Sequence, residues 1–257
     1  NPFNEIHRNY ADSHHIPVIR RISGGGAVYH DLGNINFTYI TKNISKRLNN
    51  YRFFVQPIID ILERTGLPVR FVESSHIYLG DTKISGNAQS FHKNKMLHHG
   101  TLLFDSDLEH LTNILKIQKT YESHAVNSTH SQTRNIKEVL QVDTTIEEFM
   151  EFLLSEMLMG DYTNNTITLQ DKDIKEITQL AKTKYQSWNW NIGETPSFSV
   201  HKTIDGETID IEVVKGMIQQ SSIYPDILEG IRFHQEDINN ALTSYPQAQK
   251  WIQTLFM

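Results

Sequence analysis

The chain has 257 residues, no cysteine and a formal net charge of −6. That length suffices for one large or two modest domains with a buried core, and the lack of thiols excludes disulfides and thiolate metal sites while agreeing with a reducing compartment. Dispersed basic residues in an acidic chain argue against nonspecific nucleic-acid binding, and no apolar run is long enough to span a bilayer, so the chain reads as soluble and cytoplasmic, with neither nucleic acid nor membrane as partner.

Taken in chain order, Ile16-Pro17-Val18-Ile19-Arg20-Arg21 reads as a short strand ended by Gly24-Gly25-Gly26. Residues 27–30 and 35–40 suggest a hairpin, with Asp31-Leu32-Gly33-Asn34 supplying the turn. Phe54, Ile58, Ile61 and Leu62 recur at helical spacing, and Gly66 followed by Pro68 stops that helix. Strands are expected at 69–72, 77–79, 83–91 and 96–104, with turn signals at Gly80-Asp81 and Asn94. Asp105-Ser106-Asp107 caps a helix carrying Leu108, Leu111, Ile114 and Leu115. Thr144-Thr145-Ile146-Glu147 resembles a capping box that opens an amphipathic helix with Phe149, Phe152 and Leu153. The polar run from Gly160 to Asn165 is a candidate linker. Beyond it come a helix with Ile174, Ile177 and Ala181, two strands around Asp205-Gly206, a third near 217–223, and short terminal helices. The pattern predicts an α+β fold: a mixed or antiparallel sheet with flanking helices over residues 1–160, and a smaller α+β accessory domain over residues 161–257.

Three consecutive glycines between strand-like segments suit a backbone that lies against a ligand, because glycine amides approach a phosphate or an aliphatic chain closely and accept positive φ. A structural hairpin needs fewer. Arg20-Arg21 beside the glycines puts local positive charge in an acidic protein, which fits a small anion better than a polymer. The histidine pairs His14-His15 and His98-His99 lack the spacing of a helical zinc motif, so no metal site is assigned.

The run Arg21-x-Ser23-Gly24-Gly25-Gly26-Ala27-Val28-x-His30-Asp31, followed by Leu32-Gly33-Asn34-Ile35-Asn36-Phe37, resembles the signature of the lipoate–protein ligases, within the biotinyl/lipoyl ligase-like fold. Lys83-Ile84-Ser85-Gly86-Asn87-Ala88-Gln89 resembles the family's catalytic-lysine strand, His98-His99-Gly100-Thr101-Leu102-Leu103 the segment after it, and Lys184-Tyr185-x-Ser187-Trp188-x-Trp190-Asn191 a C-terminal block. The resemblance implies an ATP-dependent ligase that activates lipoate as lipoyl-AMP and transfers it to a lysine, with ATP-bound Mg2+ and with lipoyl domains of 2-oxoacid dehydrogenase E2 subunits or the glycine cleavage H protein as acceptors. It implies Lys83 as the catalytic residue. Arg21, Ser23, Gly24, Gly25, Gly26, His30, Ser85, Gly86, Ala88 and His99 would line the lipoyl and adenylate site. Read without the resemblance, Lys83 is a strand-end lysine facing water, Arg21 a sheet-edge ion pair, His30 a core imidazole bonded to backbone, and Tyr185, Trp188 and Trp190 core aromatics of the second domain.

Family members have further elements ahead of the segment that opens this chain, so the sequence reads as lacking the usual N-terminal segment. Two departures fall on the nucleotide side. Ser75-His76 stands where ligases carry Asn-Asp, and the run from Ala125 to Gln132 holds Asn, His and Gln where basic residues are common. They motivate an alternative: a lipoyl or octanoyl transferase that uses preformed lipoyl-AMP or a lipoylated protein, with weak or no adenylation.

Overall fold

A computed structural model describes residues 1–42, 48–72, 75–115, 121–123, 131–160, 166–204 and 206–256. In chain order the elements are α1 (Pro2–Glu5), α2 (Arg8–Ser13), β1 (Asn34–Lys42), α3 (Tyr51–Arg64), β2 (Val69–Val72), β3 (His76–Leu79), β4 (Thr82–His92), β5 (Lys95–Leu103) and α4 (Leu108–Ile114). They continue with β6 (Tyr121–Ser123), α5 (Ile146–Met157), α6 (Asp171–Leu180), β7 (Phe198–Ile204), β8 (Glu207–Val214), β9 (Met217–Ser221), α7 (Pro225–Leu228), α8 (Gln235–Ala241) and α9 (Ala248–Leu255). These form two compact units, one of residues 21–112 and 129–168, the other of residues 1–20, 113–128 and 169–257.

The first unit is built on an antiparallel sheet of order β1-β5-β4-β3-β2. Alternation sends Ile35, Ile77 and Leu102 to one face, where they meet Val55, Ile58 and Leu62 of α3 and Phe149 and Leu153 of α5. Each such side chain taken fully from water contributes about 1.5–3 kcal/mol. α3 opens where the Asn50 side chain accepts from the Phe53 amide at 3.1 Å, and the chain leaves it through Gly66 at φ +84°. The capping box of α5 forms, but between Thr145 and Glu148, one residue later than the sequence pattern suggested.

Two expected strands do not form. Residues 16–21 and 27–30 lie outside any strand, and β1 is the sheet's edge. Their apolar side chains are not core: Ile19 is 66% and Val28 46% exposed. The neighbouring segments are held by side-chain hydrogen bonds instead of a ladder, as Ser23 and His30 show below.

The second unit carries an antiparallel sheet of order β6-β7-β8-β9. Phe198, Val200, Ile209, Ile211 and Val213 pack with Leu228, Ile238, Trp251, Ile252 and Leu255 in its core. Phe3 enters that core, its ring 4.9 Å from Phe198 and 5.3 Å from Phe233. The Asn4 side chain pairs with the Tyr121 main chain, donating at 2.7 Å and accepting at 3.1 Å, and so completes the outer edge of β6. Residues 1–20 therefore fold with the C-terminal unit, whereas the sequence boundary grouped them with residues 21–160. The candidate linker at 161–165 lies outside the described residues.

Candidate active site

The second face of the five-stranded sheet carries most of the residues the sequence singled out. Strand pairing fixes which side chains share it. His99 lies opposite Thr38 on β1 and Ala88 on β4, and Thr101 opposite Asn36. The Gly86 amide points to the Thr101 hydroxyl at 3.4 Å. Simple alternation would put Lys83 on the other face from Gly86, but a register shift between Ile77 and Tyr78 changes that. Tyr78 pairs with Lys83, Ile77 with Ser85 and His76 with Gly86, so Ile84 is an extra residue, a β-bulge. Because His76 and Tyr78 share a face, so do Gly86 and Lys83. The geometry agrees: a Cβ built on Gly86 would lie 3.4 Å from Lys83 Cε and 3.5 Å from Nζ. The ammonium is folded over a position with no side chain.

Lys83 also sits where β4 parts from β5. Pairing between these strands begins at Asn87 and Gly100, and the gap before it is filled by residues 132–134. The Lys83 amide donates to the Gln132 carbonyl at 2.8 Å, the Arg134 amide donates to the Lys83 carbonyl at 3.3 Å, and Thr133 bridges Lys83 in parallel. That segment is pinned in turn. Asn135 accepts from the Ser106 amide at 2.9 Å and donates to its carbonyl at 2.8 Å, and the Ile136 amide donates to Leu103 at 2.8 Å. Both main-chain groups of Lys83 are thus fixed by an extended segment outside any strand, which the sequence did not announce.

The glycine loop meets the same face at His99. The Arg21 guanidinium donates to the Ser23 hydroxyl at 3.0 Å and to the Gly24 carbonyl at 2.8 Å, and Ser23 Oγ lies 2.6 Å from His99 Nε2. A guanidinium only donates, so the serine proton is free to be donated to Nε2 when that nitrogen is unprotonated. Gly25 has φ +109°, and a Cβ there would stand 2.8 Å from the Arg21 guanidinium, so the loop needs glycine at this position for conformation and for space. Gly24 faces open space and Gly26 is half-buried. Ala88 lies directly across from His99, and Gly86 lies two residues further along β4, about 7 Å at the usual rise per strand residue.

The electrostatics distinguish one fixed charge from two neutral rings. Burial, then the Arg21 and His30 charges, hold the His99 pKa below its ordinary value. Burial, then Arg21, lower that of His30, against the Asn36 side-chain hydrogen bond and Asp31. His30 Nδ1 lies 3.1 Å from Asn34 Nδ2. Near neutral pH, Arg21 carries the charge while both imidazoles act as neutral hydrogen-bonding groups. Asp31 serves the scaffold: its carboxylate accepts from the Gly33 amide at 2.9 Å and the Asp107 amide at 2.7 Å.

Arg21, Ser23, Gly24, Gly25, His30, His99, Ala88, Gly86 and Lys83 are therefore associated with one face or with the loop that touches it. Ser85 is not. It is 1% exposed, lies opposite buried Ile77, and its hydroxyl accepts from Asn87 Nδ2 at 3.2 Å. The bulge that brings Lys83 to the site face turns Ser85 away. Sequence reading missed Asn36, Thr101 and Thr133, which the register places on or beside that face; alternation along β1 and β5 could have found the first two. His76 shares the face opposite Gly86. Of the basic-loop equivalent at 125–132, residues 125–130 lie outside the described residues. Among the described residues, no group of three or more His, Cys, Asp or Glu side chains could hold a metal ion, and no helix is long and apolar enough to cross a membrane.

Comparison with known proteins gives this arrangement a context. Residues 1–158 match the model of the lipoyl protein ligase A/B catalytic domain. The chain is 37% identical over 233 residues to lipoate-protein ligase LplJ of Bacillus subtilis, covering 88% of this chain and 70% of that protein. It is 36% identical to lipoate–protein ligase 1 of Staphylococcus aureus, with the same coverage. Among solved structures, a bipartite lipoate protein ligase studied with its E2 lipoyl domain, from Thermoplasma acidophilum, superposes with a TM-score of 0.60 at 28% identity, over 73% of this chain and 75% of that one. A lipoate protein ligase from T. acidophilum with bound lipoic acid gives 0.59 at 28% identity, over 74% and 77%. Lipoate-protein ligase A bound with ATP gives 0.58 at 27% identity, over 73% and 76%. With its mixed α and β structure, antiparallel sheets and catalytic-domain match, the chain belongs to the lipoate–protein ligase family and is a ligase.

Proposed function

We propose that the enzyme joins lipoate to a lysine of an acceptor protein in two steps. A carboxylate does not acylate an amine at neutral pH because its leaving group would be oxide. In the first step a lipoate carboxylate oxygen attacks the α-phosphorus of ATP, the bond to the β,γ-pyrophosphate breaks, and lipoyl-AMP forms. In the second, an acceptor lysine amine attacks the lipoyl carbonyl, the bond to AMP breaks, and an amide, AMP and one proton result.

The observation that carries this reading is the Lys83 ammonium over Gly86, on the face that Ser23 reaches through His99. An ammonium there would stabilise the charge shared between the carboxyl oxygen and the α-phosphoryl group in both steps, acting as a fixed charge throughout. Gly24, Gly25, Gly26, Gly86 and Ala88 leave room for a thin acyl chain, and Arg21 supplies the second positive charge. His30 and His99, held neutral, line the pocket as hydrogen-bonding walls. Magnesium would arrive with ATP, held mainly by phosphate oxygens. The bound ligands named for the T. acidophilum and ATP-bound neighbours support lipoate and ATP as substrates here. The E2 lipoyl domain named with the former supports lipoyl domains as acceptors, and the glycine cleavage H protein is a second candidate of the same chemistry. Residues 21–112 and 129–168 would form the catalytic unit and the rest the accessory unit.

One observation favours a second reading. His76, not a carboxylate, stands opposite Gly86 on the lysine face, which agrees with a transferase that takes preformed lipoyl-AMP. Mixing the protein with lipoate, ATP and magnesium separates the two. The ligase releases pyrophosphate and adds the lipoyl mass to an E2 lipoyl domain; the transferase releases none, yet modifies the domain from synthetic lipoyl-AMP.

A further inference from the structure

Adenylation moves no proton, because a carboxylate oxygen simply displaces pyrophosphate. Transfer does. As the acceptor nitrogen bonds to the lipoyl carbonyl carbon and AMP departs, that nitrogen must lose a proton, and some group must take it. Lys83 is unsuited, since its proposed role is that of a fixed cation. His99 Nε2 faces Ser23 Oγ at 2.6 Å, and His30 Nδ1 faces Asn34 Nδ2 at 3.1 Å. The Asp31 carboxylate is held by two main-chain amides, and Asp81 pairs with Arg70 at 3.1 Å.

His76 is left, and the sheet puts it beside the lysine. It stands directly opposite Gly86 on the same face. Facing positions of an antiparallel pair have Cβ atoms about 5 Å apart, and a Cβ on Gly86 would lie 3.5 Å from Lys83 Nζ. Imidazole and ammonium therefore flank one side-chain-free position from neighbouring strands. An acyl carbonyl held by the ammonium over that position would be within side-chain reach of His76. The main chain there is fixed, as it is at Lys83: the Ser75 carbonyl accepts from the Asn87 amide at 3.0 Å and from Asn87 Nδ2 at 2.9 Å. His76 is half-buried, so part of it stays accessible to an incoming amine. Around it on this face stand Lys83 on β4, Tyr78 further along β3 and Arg70 opposite Tyr78 on β2, while Val72 of β2 faces His76 itself. All of these residues belong to the unit of residues 21–112 and 129–168.

We propose that His76 is the catalytic base of the transfer step. A neutral imidazole is a good proton acceptor near neutral pH, and a base within reach of the reacting nitrogen is what amide formation from an amine requires. The neutral acceptor amine attacks the lipoyl carbonyl carbon and the N–C bond forms. The C–O bond to AMP breaks with its electron pair on the phosphate oxygen. The N–H proton passes to a ring nitrogen of His76, which releases it to solvent. The inference rests on the proposed transfer step, common to the ligase and transferase readings, and not on adenylation.

Transfer from synthetic lipoyl-AMP to an E2 lipoyl domain, followed by mass in a single turnover of the full chain, tests this step apart from adenylation. His76→Ala should slow transfer about a hundredfold, a fall about ten times that in pyrophosphate release from lipoate and ATP. His76→Gln, which fills the space and keeps hydrogen-bonding groups without a basic nitrogen, should be as slow. Added imidazole should restore transfer to His76→Ala, whereas pyrazole, a ring of the same size and a much weaker base, should not. Unchanged transfer, an equal fall in both steps, a wild-type rate in His76→Gln, or rescue by both rings or by neither overturns the base. Wild-type protein that releases no pyrophosphate, with transfer that shows the imidazole-specific rescue, keeps the base and removes the ligase reading instead. Wild-type protein that does neither removes the proposed function and the base with it.

Discussion

Both sheets bury one face beneath helices, and they differ in what the second face shows. On the five-stranded sheet it carries half-buried small and polar side chains: Lys83, Gly86, Ala88, His99 and Thr101. On the four-stranded sheet, Glu122, His201, Asp210 and Glu212 occupy the equivalent face, three of them exposed, with His201 and Asp210 paired at 2.6 Å. The same alternation produces both. The candidate site lies where the alternate positions hold small side chains and one lysine whose main chain is fixed on both sides. A solvated face arises where they hold long charged groups that satisfy each other.

The largest expected effect breaks that distinction at its centre. Lys83→Ala should lower lipoyl-AMP formation about a thousandfold or more, as for loss of a fixed transition-state charge, while leaving the circular dichroism spectrum unchanged. Normal adenylate yield would remove Lys83 from the mechanism.

Stability effects come next. Gly100, between β1 and β4, is where the Asn87 amide oxygen and the Phe37 ring close over the strand, and a Cβ would overlap both. Gly100→Ala should cost about 2 kcal/mol by overpacking, read from the urea midpoint. Gly206 in the β7–β8 turn has φ +87° and open space around it, so Gly206→Ala should cost only about 1 kcal/mol, the strain of a left-handed alanine. Equal costs would mean that the five-stranded sheet is no more tightly packed at Gly100 than a surface turn.

The sheets also differ in their response to acid. His98, on β5, is fully buried, stacks on Phe54 at 4.7 Å, and accepts through Nδ1 from Gln89 at 3.1 Å. Burial, then His99, lowers its pKa to about 4. Its folded pKa lies below the ordinary unfolded value of about 6.5, so its contribution is complete above pH about 6.5 and is lost as pH falls toward about 4. Unfolding free energy should therefore drop over that window, and His98→Gln should flatten the drop. An unchanged slope in His98→Gln would show that other groups control the acid response. The smallest effect belongs to the four-stranded sheet: Asp210→Asn should leave the thermal unfolding midpoint nearly unchanged despite the short His201 contact, because exposed pairs are screened. A clear drop in that midpoint would show that this face is not simply solvated.

Local signals made much of this legible. The stop at Gly66, the cap at Asp107 and period-two alternation in β4 and β5 follow from short-range chemistry, the capping box of α5 was placed one residue early, and motif resemblance singled out Lys83 and the glycine loop as candidates. Long-range geometry was not legible. The bulge at Ile84 reverses the faces of Lys83 and Ser85, yet no residue there announces it, since isoleucine suits any buried strand position. The pairing of residues 132–134 with Lys83 and the insertion of Phe3 into a distant core join segments about 50 and 200 residues apart. Side chains that replace a ladder, as at Ser23, leave no periodic trace. The expected strands at 16–21 and 27–30 failed for the converse reason: their pattern permitted pairing, but none of their apolar groups joins the core, and Ile19 and Val28 stay exposed.

A crystal structure of the full chain with lipoyl-AMP tests the central claim most directly. The acyl carbonyl and α-phosphate should lie within hydrogen-bond distance of Lys83 Nζ, with the acyl chain running along Gly24 to Gly26 past His99. Adenylate bound elsewhere, or Lys83 turned away from it, would contradict the account.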